Sequence, residues 1–365
     1  MSTKVQKILT LIALSLIPTL LIWLPFLLRL PSFWHIPLPQ NGLATIGANY
    51  DGPLYIAVAK SLYDPELIKA NYQFPLTTQY YTAHFPLFPL LIKLFSFLTN
   101  SIYAMLAVTL LSSFLAIYFF YKLTNNLFLT AIFSILPARW LIVRSVGSAD
   151  PLFVAGILAS LYFFINKKYW WAGIWGAIAQ MTKSPAILLF ISYVIFVFWK
   201  DIKNYQKYLP LLLIPVSIFV VFLFYYFQTG DFFTYFRSGD NIHLFFPPFQ
   251  IFNYSAPWVG TFWLEEIIFV YLIGTIGVVR LFIQKNYEMA VFAGVFMTSL
   301  LFVSHRDLVR YALPIVPLLL ISFSEVLMKK EFKIALAVII VPIYLFSLAF
   351  ISQNVMPISN WGPFL

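Results

Sequence analysis

The stretch ILTLIALSLIPTLLIWLPFLL, residues 8–28, contains no charged residue and directly follows Lys7. A helix that crosses the roughly 30 Å of bilayer hydrocarbon needs about 20 apolar residues, and this stretch is long enough. It is also long for the apolar part of a signal peptide, and no small-residue cleavage site follows it. We therefore predict an uncleaved first membrane span.

The composition of the whole chain agrees with this prediction. Of the 365 residues, 61% are hydrophobic, 20% are aromatic and 10% are charged, and the mean hydropathy is +0.87. A soluble globular protein averages about 45–50% apolar and about 25% charged residues, and a disordered chain is more polar still. Both classes are excluded. The chain has no cysteine, which excludes disulfides, thiolate catalysis and cysteine-bound zinc.

Further apolar stretches predict an all-α, multi-pass membrane protein with a single domain over residues 1–365. Together with residues 8–28 they give about eleven spans. The further predicted spans are residues 102–121, 125–143, 151–166, 169–182, 185–199, 209–228, 258–279, 288–304, 312–328 and 334–350.

Basic residues predict the orientation of these spans. The net charge is +10, and most of it comes from lysines in short loops, such as Lys167-Lys168 and Lys329-Lys330. Short cytoplasmic loops of membrane proteins are enriched in Lys and Arg. We therefore place these loops and the N-terminus on the cytoplasmic side of the membrane. The charge thus reflects topology and gives no support to a nucleic-acid partner.

Two long loops lie on the opposite, extracytoplasmic side in this topology. They cover residues 30–84 and 229–257, and the first contains short apolar stretches that predict interfacial helices. Long ordered loops usually carry function, so we expect the active site on this side.

The first long loop contains Asn49-Tyr50-Asp51-Gly52-Pro53, directly before an apolar, helix-compatible run. One interpretation is a turn in which the Asp51 carboxylate caps nearby backbone N–H groups. The other is that Asp51, held at the start of a short helix on the membrane surface, acts as a general base. The residues alone leave both interpretations open.

The same loop ends at the stretch His84-Phe85-Pro86-Leu87-Phe88-Pro89-Leu90-Leu91-Ile92-Lys93. About a dozen apolar residues are too few for a span, so we predict an interfacial or re-entrant helix with the Lys93 ammonium at the polar boundary. His84 is either a hydrogen-bonding residue of that boundary or part of a site.

These two motifs resemble those of the integral-membrane GT-C glycosyltransferases, and in particular the PIG-V-like mannosyltransferase branch. Three further segments resemble motifs of that family in the same order: Gly147-Ser148-Ala149-Asp150-Pro151-Leu152-Phe153, Met181-Thr182-Lys183-Ser184-Pro185 and Arg310-Tyr311-Ala312-Leu313-Pro314. The chain departs from the family pattern at four positions. Leu54 stands where the family has His, and Gly52 stands where many members have a second acid. Asp150 replaces Glu, and Lys183 replaces Arg.

The resemblance implies a GT-C fold. It also implies the transfer of a hexose, mannose in particular, from a polyprenyl-phosphate donor to a glycan, lipid or protein acceptor. In that chemistry one carboxylate takes the proton of the acceptor hydroxyl, which attacks the anomeric carbon opposite the leaving phosphate. We assign this role to Asp51. The predicted donor- or acceptor-binding residues are Tyr50, Tyr55, His84, Asp150, Lys183, Arg306, Arg310 and Tyr311.

The charge that develops on the leaving phosphate requires a cation nearby. The basic residues predicted on the outer side for this role are Arg144, Lys183, Arg237, Arg306 and Arg310. If their segment is helical, Arg306 and Arg310 share one face at i and i+4. The alternative is that both are interfacial arginines without a ligand.

The sequence indicates no organic cofactor, and it leaves open a divalent cation, Mg²⁺ or Mn²⁺, held by carboxylates. The four histidines, His35, His84, His243 and His305, have no close ligand spacing. The chain also lacks a glycine-rich phosphate loop, which argues against a cytosolic nucleotide-sugar donor.

Two other functions fit the sequence less well. A transporter or flippase of a lipid-linked sugar would keep ionisable residues near the bilayer midplane and show repeated halves. Here the charges lie at the ends of the predicted spans, and no internal repeat is found. The other alternative is a non-catalytic scaffold with the same fold.

Overall fold

The structure is a computed structural model, and it describes residues 3–72, 74–239, 244–253, 255 and 264–365. Within these residues the chain is mostly helical and has one antiparallel hairpin, β1 (Ser32–Phe33) and β2 (Ile36–Pro37). The first α-helices are α1 (Thr3–Leu27), α2 (Leu43–Gly47), α3 (Gly52–Ser61), α4 (Pro65–Asn71), α5 (Leu87–Phe95), α6 (Ser101–Thr124), α7 (Leu127–Ile135), α8 (Ala138–Ser145) and α9 (Asp150–Ile165). The following ones are α10 (Tyr169–Thr182), α11 (Ile187–Lys200), α12 (Leu213–Thr229), α13 (Glu265–Ile283), α14 (Tyr287–Leu300), α15 (Leu308–Tyr311), α16 (Val316–Ser322), α17 (Ser324–Leu327) and α18 (Lys330–Gln353).

Five helical stretches in the described residues are long and apolar enough to cross a membrane, in agreement with a multi-pass protein. They are Val5–Leu27, Ser101–Thr124, Ile202–Thr229, Glu265–Ile283 and Lys330–Gln353. Helices α7 and α8 together would give a sixth span, but they are bent by 74°. The bend lies at Leu136 and Pro137, where proline lacks the N–H group that a continuous helix needs.

The predicted count of about eleven spans is not confirmed. Helices α9, α10, α11 and α14 lie at four of the predicted spans, but they have only 16, 14, 14 and 14 residues. The predicted span 312–328 is divided into short helices, with Pro314 and Pro317 near its first break. Hydropathy measures apolar content, and these segments are apolar without forming long straight helices. The start of the predicted span 258–279 lies outside the described residues.

The first predicted outer loop contains short helices, as expected. Helix α3 follows Asp51, but it does not lie along a surface, because every residue from Gly52 to Ala59 is buried. Residues 53–59 of this helix are all apolar, and a helix that is apolar on every face is buried rather than interfacial. The second predicted loop, residues 229–257, is described in part and contains the 3₁₀ turns Thr234–Arg237 and Gln250–Phe252.

Glycines allow close packing around the centre of the molecule. Helices α9 and α10 meet at Gly156, where an added Cβ would lie 2.8 Å from the Cβ of Ala179. Gly147, in the turn before α9, packs against Met105 of α6, and a Cβ there would lie 2.2 Å from the methionine side chain. Small residues let helices approach closely in this way. The packing fixes the position of Asp150, the first residue of α9.

Candidate active site

The turn before α3 presents the Asp51 carboxylate instead of using it as a helix cap. The Asn49 side-chain amide donates to the carbonyl oxygen of Ile351 at 3.0 Å, which ties the turn to the end of α18. Gly52 has no room for a side chain, because a Cβ would lie 2.3 Å from the carbonyl oxygen of Gly47. The Asp51 side chain makes no capping hydrogen bond to α3. Of the two interpretations of this motif, the helix cap is therefore not the one observed.

Two basic groups face the Asp51 carboxylate. Arg310 Nη2 lies 3.6 Å from Oδ2, and His84 Nε2 lies 3.9 Å from Oδ1, beyond direct hydrogen-bond distance. The side chain of Asp51 is 31% exposed, whereas that of Arg310 is 15% and that of His84 is 7% exposed. Burial alone would raise the pKa of Asp51, but His84, Arg310 and Lys183 hold it below its usual value. Asp51 is thus an ionised and accessible carboxylate at neutral pH.

Asp150 forms the buried part of the site. Its Oδ1 accepts from Lys183 Nζ, and its Oδ2 accepts from Arg310 Nε at 2.9 Å and from Ser148 Oγ at 2.8 Å. Lys183 lies between α10 and the 3₁₀ turn Ser184–Ala186, and burial lowers the pKa of its ammonium group. Lys183 and Arg310 both contact this buried carboxylate, so Asp150 fixes the position of both cations.

Arg310 connects the two carboxylates. Its Nη2 faces Asp51, its Nε bonds to Asp150, and its guanidinium carbon lies 4.2 Å from the centre of the Tyr50 ring. A guanidinium group suits this position because its donors lie in one rigid plane that can also stack on an aromatic ring. One side chain of α15 therefore holds together the turn before α3 and the start of α9.

A second ion pair beside Tyr50 was not predicted from the sequence. Arg139 Nε lies 3.0 Å from Asp307 Oδ1, and both side chains are largely buried. The Tyr50 hydroxyl donates to Asp307 Oδ2 at 3.3 Å and accepts from Arg139 at 3.3 Å. The guanidinium of Arg139 also lies 4.0 Å from the Phe350 ring. This pair extends the charged network to the far side of Tyr50.

His84 is positioned mainly by aromatic neighbours. The Tyr55 ring meets the imidazole edge-on, with centroids 5.0 Å apart, and the Tyr80 ring lies at 5.8 Å. The His84 carbonyl oxygen accepts from the Tyr63 hydroxyl at 2.6 Å. Within the described part of the chain, the buried Nδ1 has no hydrogen-bond partner. Packing therefore orients the ring with Nε2 on the Asp51 side.

Most of the predicted site residues come together in this cluster: Asp51, Tyr50, Tyr55, His84, Asp150, Lys183 and Arg310. Two do not join it through these contacts. Arg306 is exposed and precedes the first residue of α15, so it does not share a helix face with Arg310. The ring of Tyr311 packs against that of His305, with centroids 5.0 Å apart.

Two other basic residues considered as phosphate ligands have different surroundings. Arg144 is fully buried and donates to the backbone carbonyl oxygens of Ser15 and Ser134. Its guanidinium therefore lies against α1 inside the protein. Arg237 pairs with Asp231 at an exposed position.

No group of three or more His, Cys, Asp or Glu side chains that could hold a metal ion occurs in the described residues. His243 lies outside them, and the divalent cation stays a prediction. The structure has a cavity of about 330 Å³ between residues 41–48 and 355–361 and another of about 320 Å³ at the far end of α3. Asp51 lines neither of these two cavities.

The chain shares its fold with a solved membrane protein but has no match by sequence. No family model matches it, and a search of curated proteins finds no match. Among solved structures, it is similar to the archaeal oligosaccharyltransferase AglB from Archaeoglobus fulgidus in complex with an inhibitory peptide and a dolichol-phosphate. The TM-score is 0.52 and the sequence identity is 14%.

This match covers 96% of the chain but only 57% of the AglB chain, so the protein spans little more than half the length of AglB. At this level of identity the likeness concerns the fold alone. The chain therefore has the fold of this oligosaccharyltransferase over most of its length, and its place among the GT-C glycosyltransferases stays a prediction.

Proposed function

We propose that the protein is a membrane glycosyltransferase that moves a hexose from a polyprenyl-phosphate donor to an acceptor hydroxyl, with Asp51 as the general base. The observation that carries this proposal is the Asp51 carboxylate, which is 31% exposed, makes no capping hydrogen bond and faces two basic groups. The similar fold of AglB, whose structure contains a dolichol-phosphate, supports a lipid-phosphate donor.

In the proposed reaction Asp51 takes the proton of the acceptor hydroxyl while the hydroxyl oxygen forms a bond to the anomeric carbon. The bond from that carbon to the phosphate oxygen breaks, and its electron pair leaves with the polyprenyl phosphate. Attack from the face opposite the phosphate inverts the anomeric configuration.

The cations of the cluster provide the electrostatic part of this proposal. Lys183 and Arg310 lie beside the carboxylates of Asp150 and Asp51, and their N–H groups bind the phosphate as negative charge develops on it. Asp150 acts as a positioning residue for both cations, and His84 and Tyr55 border the place of the acceptor beside Asp51.

The finer assignments rest on the sequence motifs. We assign the chain to the PIG-V-like branch with mannose as the first sugar to test, and the acceptor is a glycan, lipid or protein hydroxyl. The short lysine-rich loops support a cytoplasmic N-terminus and an extracytoplasmic active site.

The test is transfer by the purified protein in proteoliposomes from polyprenyl-phosphate-linked mannose and glucose. Release of polyprenyl phosphate by water gives a readout that does not require the natural acceptor. We expect Asp51→Asn to lower the rate by about 100-fold or more, the usual contribution of a general base. Asp64→Asn in the same loop is the matched control, because Asp64 caps α4 and Asn caps a helix equally well.

Full activity of Asp51→Asn would contradict the role of Asp51. If the lipid-linked sugar crosses the bilayer without a new bond at the anomeric carbon, the protein is a flippase rather than a transferase.

A further inference from the structure

The cavity of about 330 Å³ lies between the segment that contains α2 and the segment that follows α18. Two backbone contacts join these segments. Asn49 pairs with Val355 in an antiparallel bridge, and the N–H of Met356 donates to the carbonyl oxygen of Ala48 at 2.8 Å. Ala48 lines the cavity and precedes Asp51 by three residues. Because consecutive Cα atoms are about 3.8 Å apart, the Cα atoms of these two residues lie within about 11 Å of each other.

The polar side chains that line the cavity are neutral. They belong to Asn41, Thr45 and Ser359, and no charged residue lines the cavity in the part of the chain that the structure describes. Thr45 is 1% exposed, and its hydroxyl has no hydrogen-bond partner there. Asn41 and Ser359 are exposed, and their side chains form no hydrogen bond within the described residues. An amide and hydroxyl groups of this kind both donate and accept hydrogen bonds without adding a charge.

Trp361 adds an aromatic ring to the same cavity. Its side chain is half-buried, and its ring meets that of Phe364 at a steep angle, with centroids 5.6 Å apart. An indole has a flat apolar face and one polar N–H group at its edge. A sugar matches this combination, because its ring has C–H groups on the faces and hydroxyl groups around the edge.

Other classes of ligand fit this lining less well. A phosphate or a carboxylate requires a cation, and the described lining residues provide none. A lipid chain would cover the polar side chains without replacing their hydrogen bonds to water, which is unfavourable. The volume is at the lower end of the range of small-molecule sites, about 300–1,000 Å³. The cavity is therefore suited to a small, neutral and hydroxyl-rich ligand.

We propose that this cavity binds a sugar residue of the acceptor, so that the hydroxyl activated by Asp51 belongs to a glycan. Trp361 packs against the sugar ring, and Asn41, Thr45 and Ser359 form hydrogen bonds with its hydroxyl groups. This proposal rests on the proposed function and selects one of its three acceptor classes. It adds no chemical step to the transfer, because the cavity binds a part of the acceptor that does not react.

The experiment is an equilibrium binding titration of the purified full chain in a detergent without a sugar headgroup. The probes are a mannose disaccharide, a glucose disaccharide and a serine-containing peptide. The variants are Trp361→Ala, Trp361→Phe and Asn41→Ala. Trp170→Ala is the matched control, because Trp170 is 67% exposed in the first turn of α10 and does not line the cavity.

We expect a disaccharide to bind the wild type and the control equally well. Trp361→Ala should lose about ten-fold in affinity, and Trp361→Phe should lose less because it keeps an aromatic face. Asn41→Ala should lose about five-fold, as expected for one hydrogen bond, and this exposed side chain has no packing role that could cause misfolding. Unchanged binding in both alanine variants, no binding of either disaccharide to the wild type, or tighter binding of the peptide would overturn the proposal.

Kinetics in proteoliposomes separate this proposal from the proposed function. Trp361→Ala should raise the KM for the disaccharide about ten-fold, so that transfer falls more than the release of polyprenyl phosphate by water. An equal fall in transfer and in release would show a structural role of Trp361 and would overturn the proposal. A wild type that binds the disaccharide but releases no polyprenyl phosphate would contradict the proposed function and would still support a sugar site in the cavity.

Discussion

Replacement of Asp150 by Asn tests whether this residue holds the two cations of the site in place. Asp150 contacts Lys183 and Arg310, whose side chains are 25% and 15% exposed. Loss of one partner of a buried ion pair costs about 3–5 kcal/mol of unfolding free energy, because the remaining charge stays desolvated. Asn has the same shape and still accepts from Ser148 Oγ, so we expect the lower end of this range, about 3 kcal/mol.

The assay is equilibrium unfolding of the purified protein in detergent, with Asp231→Asn as the control. Asp231 pairs with Arg237, whose side chain is 65% exposed, so that change should cost less than about 1 kcal/mol. Combining Asp150→Asn with Lys183→Met removes one unpaired cation and should recover about 1 kcal/mol or more. A loss for Asp150→Asn no larger than that of the control would refute the reasoning.

Two further predictions concern the geometry and charge of Asp51. Gly52→Ala should destabilise the protein by about 1–3 kcal/mol and reduce transfer, because the new Cβ would lie 2.3 Å from the Gly47 carbonyl oxygen. Unfolding measurements check it against Gly294→Ala, where the nearest atom lies at 3.6 Å; equal effects would contradict it. His84→Gln should raise the pKa of Asp51 toward its usual value, because His84 helps to keep that pKa low. Since the base must be ionised, the acidic limb of kcat/KM against pH should move to higher pH, and an unchanged limb would show that His84 does not act on Asp51.

Local patterns predict the long helices and most of the site. Residues 8–28, 102–121 and 334–350 are apolar over the length of a bilayer, and they form most of α1, α6 and α18. Asp51 and Arg310 lie in short motifs that can be recognised without knowing which segments touch. The structure then shows the two side chains 3.6 Å apart.

The features that the sequence does not predict depend on contacts between distant segments. The ion pair of Arg139 with Asp307 has no local signature, because each residue lies in an ordinary turn or helix and the two meet only in the folded protein. The same holds for Arg144, whose guanidinium lies against α1 inside the protein. A hydropathy profile also does not show that Pro314 and Pro317 interrupt an apolar segment. It scores the polarity of side chains and takes no account of the backbone N–H group that proline lacks.

A structure of the Asp51→Asn variant with a bound polyprenyl-phosphate hexose tests the central claim most directly. The account predicts phosphate oxygens within hydrogen-bond distance of Arg310 or Lys183 and the anomeric carbon next to residue 51. Donor phosphate bound away from both Arg310 and Lys183 would contradict it.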